Sequence, residues 1–230
     1  LAEARGVVAA MPAELPEVEE DMDAFTDQLA ARAEQIYDRH EAEKWQRIHL
    51  PDAGPYGLLV VGDPHLDDAK CAWHILKKHI ALCAYNPRIF CVNIGDLHNN
   101  WVGRLERLYA EQETSKNTAY KLIRWLMHDC GLNWILSIAG NHDVWNDGYR
   151  ILEMLHGQHV VLRDWGAKVV ISSKDGRELR LDARHNFKGS SIWNDAHGPE
   201  REAITGELAD LYVAGHLHYP SIKTRWIPSK

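Results

Sequence analysis

The sequence predicts an α/β fold, and three observations support this. Four short apolar runs each stop at a glycine followed by a polar residue, as expected of buried strands. Amphipathic helical patterns lie between these runs, so strand and helix alternate along the chain. A polar link containing Asp-Gly joins two further apolar stretches, which predicts a hairpin and a second, more antiparallel sheet.

The first element is a charged, Ala-rich segment from Pro12 to about Trp45. Its apolar residues recur at helical spacings consistent with a single stripe: Met22, Phe25, Leu29 and Ile36. We interpret the segment as an amphipathic arm that contributes to packing, assembly or attachment. A homo-oligomer formed through this arm is therefore a candidate assembly.

A break follows the arm at residues 51–55, which read PDAGP. Proline lacks a donor and glycine supports sharp turns, so no helix continues through this stretch. We therefore expect a helical arm or linker over residues 1–50 and one domain over residues 51–230, a length that suits a single core. Because the first residue is Leu1 and the last histidine motif lies near residue 230, a fragment or a truncated C-terminus is expected.

The elements of the domain follow in chain order. The strands are predicted at Leu58–Val61, Phe90–Ile94, Ile135–Ala139 and Leu211–Ala214. One helical pattern runs from Ala72 to Ile80 and another from Ala119 to Cys130, the second preceded by the candidate caps Thr114 and Ser115. The hairpin is predicted between residues 168–173 and 178–183, and His185 follows its second strand.

Composition places the chain among ordinary globular proteins, with 45% hydrophobic and 26% charged residues. A net charge of −7 counts against a non-specific nucleic-acid coat, because that binding depends on surplus Lys and Arg. The four cysteines form no C-x-x-C pair and lie in apolar segments, which favours buried thiols. With no apolar stretch that spans a bilayer and no secretion pattern, we expect no membrane association and a cytoplasmic location.

Four polar motifs follow the predicted strands: GDPH at 62–65, GDLHN at 95–99, GNHD at 140–143 and GHLH at 215–218. Ligands in α/β sheets collect beyond the carboxyl ends of strands, so these motifs can meet in space. Their carboxylate, amide and imidazole groups suit borderline divalent metals such as Mn, Fe, Zn or Ni. Each motif alone is weak, but four of them on successive strands, with His185 on a fifth, predict a metal site.

In this order the motifs resemble those of the calcineurin-like metallophosphoesterases: D-x-H, G-D-x-x-D/N, G-N-H-D/E, a separate His and G-H-x-H. The resemblance covers Leu58 to about Pro220 and implies a β-sandwich of two mixed sheets flanked by helices. It also implies two divalent metal ions, with Mn²⁺ favoured. It assigns Asp63, His65 and His218 to one metal, Asn141, His185 and His216 to the other, and Asp96 to both.

The resemblance implies hydrolysis of a phosphoester by a metal-activated hydroxide, with His142 beside the metals without binding them. An imidazole donates a proton near neutral pH, which suits His142 as the general acid, and Asp143 as the group that orients its ring. Asn99 is a candidate substrate contact, although a turn role is an alternative. His98 and His197 are excluded from the metal set, because seven other groups complete it.

The segment Asn186–Arg201 is a candidate substrate wall, with Lys188, Trp193 and His197 as contacts. Aromatic rings and cationic donors suit a nucleotide or a single-stranded nucleic acid, whereas packing of Trp193 on the core is the alternative. This segment, together with NWVGR at 100–104, is similar to phage- and prophage-encoded members. We therefore expect a phosphodiesterase or nuclease, with a phosphomonoesterase or a non-catalytic metal-holding module as alternatives.

Overall fold

The computed structural model describes residues 22–27, 30, 45–112, 114–146, 148, 152 and 160–226. The chain divides into two compact units, Leu1–Ala42 and Glu43–Lys230. In the first unit the described residues, 22–27 and 30, are helical, and residues 1–21, 28–29 and 31–44 of the predicted arm lie outside the described residues. None of the helices described is both long and apolar enough to pass through a bilayer.

The second unit contains eight described strands. They are β1 (Gln46–His49), β2 (Gly57–Val61), β3 (Ile89–Asn93), β4 (Asn133–Ala139), β5 (Val161–Asp164), β6 (Gly166–Ser172), β7 (Glu178–Arg184) and β8 (Leu211–Ala214). The four predicted strands correspond to β2, β3, β4 and β8, and the predicted hairpin corresponds to β6 and β7. The residues of β1 and β5 were not predicted to form strands.

Two four-stranded sheets result. The first has the order β2-β3-β4-β5 and is parallel at every pairing. The second has the order β1-β6-β7-β8, in which only the β6–β7 hairpin is antiparallel. Two mixed sheets were expected. The first sheet is instead parallel throughout, because its connections cross over and do not turn back as hairpins.

The described helices connect the strands. They are α1 (Trp73–Ala84), α2 (Lys116–Arg124), α3 (Asn141–Val144) and α4 (His197–Thr205), with a 3₁₀ helix at Gly103–Glu111 and a π-helical turn at Trp125–Asp129 that continues α2. Ser115 caps α2, since its hydroxyl accepts from the backbone amide of Thr118 at 3.2 Å. Thr114 is not the cap; its hydroxyl donates to the backbone carbonyl of Asp67.

The core has two layers because successive side chains of a strand face opposite sides of the sheet. Cys91 of β3 packs with Ile123 of α2 on the helical side of the parallel sheet. The next residue, Val92, packs with Leu136 and with Ile171 of β6, between the two sheets. The described part of the second unit is therefore an α/β fold of two stacked sheets flanked by helices.

The mixed sheet begins before the predicted domain boundary. Residues Gln46–His49 of β1 pair in register with Val169–Ser172 of β6, and Ile48 contributes to the core between the sheets. These residues had been assigned to the arm, because only the helical pattern before them was recognised. The sheet starts at Gln46 rather than after residue 50.

Candidate metal centre

All seven predicted metal ligands lie just after strands. Asp63 and His65 follow β2, Asp96 follows β3, Asn141 opens α3 after β4, His185 follows β7, and His216 and His218 follow β8. The ligands thus come from both sheets. Strand ends that share one edge bring such residues together despite their separation along the chain.

Five of the seven residues have a positive backbone φ: Asp63 (48°), His65 (40°), Asp96 (54°), His216 (68°) and His218 (54°). Residues with a Cβ seldom adopt this conformation, which costs on the order of 1–3 kcal/mol each. Such strain persists only where surrounding contacts impose it, and it collects at functional sites. The strain therefore marks these turns as a candidate functional site, in which His216 and His218 are exposed and the other three residues are at least partly buried.

One ligand group consists of Asp63, His65 and His218, whose candidate ligand atoms lie within 4.8 Å of one another. Nε2 of His218 is 3.7 Å from Oδ1 of Asp63. Nδ1 of His65 is buried and has no hydrogen-bond partner among the described residues. A buried imidazole nitrogen without a partner suits a metal ligand, since burial of an unsatisfied polar atom is otherwise costly.

A second group consists of Asp96, His185 and His216, again with ligand atoms within 4.8 Å of one another. Nδ1 of His185 lies 2.9 Å from the backbone oxygen of Ile94, to which it can donate. Its Nε2 then faces Nδ1 of His216 at 3.2 Å and Oδ1 of Asn141 at 3.1 Å. This is the usual arrangement of a ligating histidine, in which one nitrogen is held by the protein and the other faces the cation.

Asp96 belongs to the second group and also lies near His65 of the first. Its Oδ2 is 3.3 Å from Nε2 of His185 and 3.9 Å from Nε2 of His65. Its Oδ1 accepts the backbone amide of His142 at 2.9 Å. A buried carboxylate in this position is near enough to serve both groups, whereas its role as a bridging ligand stays an implication of the resemblance.

The site is electrostatically coupled. Burial raises the pKa of Asp96, but the hydrogen bond and charge of His185 outweigh it, so that the pKa of Asp96 is lowered. Burial likewise lowers the pKa of His185, and its interactions with Asp96 reverse this to a net rise. The pKa values of His65 and His216 are lowered, chiefly by burial. Since an ionised carboxylate and a neutral imidazole bind a cation, the shifts of Asp96, His65 and His216 favour metal binding, whereas the raised pKa values of His185 and of Asp63, the latter raised chiefly by burial, oppose it.

Two glycines allow the loops to approach closely. A Cβ at Gly140 would lie 2.2 Å from Oδ1 of Asp96, and one at Gly215 would lie 2.2 Å from Oδ2 of Asp63. Real Cβ atoms do not come this near to an oxygen, so any other residue would displace the carboxylate. The glycines of the GNHD and GHLH motifs are thus part of the site.

His142 stands at the edge of the candidate metal centre. Its Nδ1 hydrogen-bonds to the backbone carbonyl of Asn99, and its Nε2 is 3.9 Å from Oδ2 of Asp96. The ring lies between Trp145 and Trp101, with centroid distances of 4.3 and 5.2 Å. His142 also forms a third candidate ligand group with His65 and Asp96, so the structure places it beside the predicted ligands.

Asp143 does not orient the His142 ring as the sequence suggested. Its carboxylate is fully buried and accepts the backbone amides of Asp96 at 2.6 Å, Leu97 at 3.0 Å and Gly140 at 2.9 Å. Burial raises the pKa of Asp143 to about 7, while these amides act to lower it. Asp143 therefore joins the loops after β3 and β4, and the described partner of the ring is Asn99.

The predicted substrate contacts have different environments. Asn99 is buried, and its side-chain amide donates to Asp68 at 3.1 Å instead of facing solvent. Trp193 is 90% exposed, so the alternative of packing on the core is wrong for this residue. Lys188 is exposed, and His197 begins α4. None of the four belongs to a candidate metal group among the described residues.

The two excluded histidines stay outside those groups. His98 is buried, and burial is the main cause that lowers its pKa to about 3. Sequence reasoning missed two asparagines that shape the loops. Asn93 accepts the backbone amide of Gly95 at 3.1 Å, and Asn100 donates to the backbone oxygen of His142 at 2.9 Å. A polar residue closing an apolar strand was the available signal for Asn93.

No protein-family model matches the chain, and no curated protein sequence matches it. The residues themselves fit divalent metal ions, because two carboxylates, an amide and four imidazoles converge from strand ends of both sheets.

Proposed function

We propose that the protein is a phosphoesterase of the calcineurin-like type that depends on two divalent metal ions. The observation that carries the proposal is that Asp96, a member of one ligand group, also lies 3.9 Å from His65 of the other, with the ligand atoms of each group within 4.8 Å of one another. Two-metal sites have their ions about 3.5–4 Å apart, and a shared carboxylate suits that spacing. The GDPH, GNHD and GHLH motifs and the separate His185 supply the remaining ligands, in the order that the resemblance implies.

The chain would hold one ion through Asp63, His65 and His218 and the other through Asn141, His185 and His216. When bound, the ions supply positive charge that acidifies a water molecule and neutralises the phosphoryl oxygens. The mixed nitrogen and oxygen donors suit manganese, iron, zinc or nickel, and the resemblance favours manganese. Hydrogen bonds from the chain fix the ligands before any ion arrives, as His185 illustrates with Ile94.

His142 would serve as the general acid. The hydrogen bond from Nδ1 to the Asn99 carbonyl leaves Nε2 as the nitrogen on the Asp96 side of the ring. As the bond between phosphorus and the leaving oxygen breaks, that oxygen takes the Nε2 proton, and the ring becomes the neutral Nδ1–H form. The flanking rings of Trp101 and Trp145 limit how far the imidazole can tilt.

A phosphodiester is the favoured substrate, either a nucleotide or a nucleic acid. The segment after His185 exposes Lys188 and Trp193, a cation and a ring of the kinds that contact phosphates and bases. The resemblance to phage- and prophage-encoded proteins points the same way. A phosphomonoesterase uses the same metal chemistry, and a substrate panel separates the two.

The test begins with protein stripped by a chelator and reloaded with manganese. The panel contains a bis-nitrophenyl diester, the matching monoester, cyclic nucleotides, and single- and double-stranded DNA. We expect hydrolysis only after metal is added, and faster hydrolysis of diesters than of the monoester. Asp96→Ala should be inactive, whereas Asp52→Ala, at an exposed aspartate outside the ligand groups, should match the wild type. A metal-loaded protein that hydrolyses no member would favour the non-catalytic module.

A further inference from the structure

A buried carboxylate that the proposed chemistry does not use lies in the loop after β2. Asp67 is 3% exposed. Its Oδ1 accepts the backbone amide of Asn99 at 2.8 Å, and its Oδ2 accepts the side-chain amide of Gln112 at 3.0 Å. Its own backbone oxygen accepts the hydroxyl of Thr114 at 2.9 Å. The carboxylate is thus fixed in place and bonds the loop after β3.

Asn99 connects this carboxylate to the candidate general acid. Its N–H donates to Asp67, and its C=O accepts from Nδ1 of His142. Its side-chain amide is held as well, by Oδ2 of Asp68 at 3.1 Å. Because the N–H and C=O belong to one residue, the bond that fixes the first also limits where the second can point.

The other groups around the ring do not supply this constraint. Both oxygens of Asp143 are bonded to backbone amides, as described above. Trp101 and Trp145 contact the His142 ring through their faces and edges, which limits its tilt but offers Nδ1 no acceptor. Among the described residues, the Asn99 carbonyl is the hydrogen-bond acceptor for the ring.

We propose that Asp67 is a positioning residue: through the backbone of Asn99 it keeps the proton of neutral His142 on Nδ1 and so reserves Nε2 for the leaving group. The inference rests on the proposed role of His142 as general acid. A hydrogen bond to a carboxylate is roughly twice as strong as one between neutral groups, which suits it to hold a peptide against thermal motion. The bond made by one imidazole nitrogen determines the role of the other.

The first part of the test measures the rate of the manganese-loaded protein on two diesters. One has a nitrophenyl leaving group and the other an alkyl leaving group. Protonation matters little for the first and much for the second. Asp67→Ala should lower the rate on the alkyl ester by about tenfold or more and the nitrophenyl rate much less. In a His142→Ala background, Asp67→Ala should not change the ratio of the alkyl and nitrophenyl rates any further, because the effects of coupled residues are not additive.

Two variants separate positioning from simple stability. Asp67→Asn should keep the wild-type preference, because its oxygen can still accept from Asn99. Its amide can donate to Oε1 of Gln112 once the Gln112 amide rotates, because Nε2 of Gln112 faces this position and Oε1 has no hydrogen-bond partner among the described residues. Thr114→Val removes a different bond to the same residue, so it should lower stability without changing the ratio of the two rates.

A second readout needs neither metal nor turnover. In metal-free, ¹⁵N-labelled protein at a pH where the ring is neutral, the nitrogen shifts of His142, assigned by comparison with His142→Ala, should show the Nδ1–H tautomer. The wild type and Asp67→Asn should share this tautomer, and Asp67→Ala should shift towards a mixture. If Asp67→Ala does not fold, Asp67→Ser, whose hydroxyl is shorter than a carboxylate, replaces it.

The rate comparison and the tautomer measurement together distinguish the positioning role of Asp67 from the proposed function. If neither the wild type nor any variant hydrolyses either diester, the proposed function is wrong. The tautomer measurement would still decide the role of Asp67. Unchanged nitrogen shifts in a folded Asp67→Ala variant would overturn the positioning role, as would an unchanged ratio of the alkyl and nitrophenyl rates in an active one.

Discussion

The backbone amide of His216 donates to the side chain of Asp63 and lies 2.9 Å from each carboxylate oxygen. The two residues are 153 positions apart in the chain. Asp63 follows β2 of the parallel sheet, and His216 follows β8 of the mixed sheet. This contact therefore joins the first and last motifs of the candidate metal centre across the two sheets.

Gly215→Ala should weaken metal binding. The added methyl would lie 2.2 Å from the carboxylate of Asp63, so the carboxylate must move out of its group. We expect a loss of affinity of about tenfold or more at a cost in stability of about 1–3 kcal/mol, typical of overpacking. Titration calorimetry with manganese measures the affinity.

Gly57→Ala is the matched control, since its methyl would make an ordinary contact, 3.4 Å from Ile89. It should bind manganese like the wild type. Wild-type affinity in Gly215→Ala would mean that Asp63 is not a ligand or that the loop adapts.

Asp96→Ala should remove both metals or leave them misplaced. The carboxylate belongs to one ligand group and lies 3.9 Å from His65 of the other, so its loss should affect both at once. The metal content of the purified variant, measured by plasma mass spectrometry, provides the test. Two ions per chain in a folded Asp96→Ala protein would refute the bridging assignment.

His142→Ala should keep its metals and lose turnover by roughly 10²–10⁴, the usual contribution of a positioned general acid. The loss should be larger for alkyl than for nitrophenyl leaving groups. Steady-state rates on both esters, at matched metal occupancy, measure it. If metal content falls instead, the third ligand group of His65, Asp96 and His142 is a real site, and the general-acid role is wrong.

Asp143→Asn should destabilise the fold. Three backbone amides donate to the carboxylate, and an asparagine would turn its NH₂ towards at least one of them. A buried amide left without an acceptor costs about 1–3 kcal/mol. Thermal unfolding of the metal-free proteins should show a lower midpoint for Asp143→Asn. An unchanged midpoint would indicate that the loops after β3 and β4 do not depend on this carboxylate.

Removal of residues 1–42 should leave metal-dependent activity intact, because the first unit contributes none of the proposed ligands. A longer deletion, of residues 1–48, would cut into the domain, because β1 begins at Gln46 and pairs with β6. The longer deletion should therefore destabilise the domain. It removes Ile48 from the core, together with Trp45, whose indole N–H donates to Glu207 at 2.8 Å.

Unfolding, diesterase activity and mass in solution should be measured for both truncations. An amphipathic helix is marginal alone in water, so a change in oligomeric state on removing residues 1–42 would support assembly through the arm. A folded, metal-loaded 1–42 deletion without activity would show that the arm shapes the substrate site.

Local pattern in the sequence was sufficient for much of the fold. Strands β2, β3, β4 and β8 are apolar runs that stop at glycine, and the β6–β7 hairpin turns at Gly176 with a φ of 83°. These signals lie within the elements themselves. Strand β1 was missed because its partner β6 is more than a hundred residues away, and four residues alone carry too little pattern to predict a strand.

The sequence by itself was enough to predict side chains that could bind metal, because ligand type and position after a strand are visible in the chain. Only the tertiary structure decided how His142 is held. Its partner is the carbonyl of Asn99, which Asp67 fixes through the amide of the same residue. Every residue has a backbone carbonyl and all but proline an amide, so no side-chain pattern marks those that bond, and only folding brings the three loops within hydrogen-bonding distance.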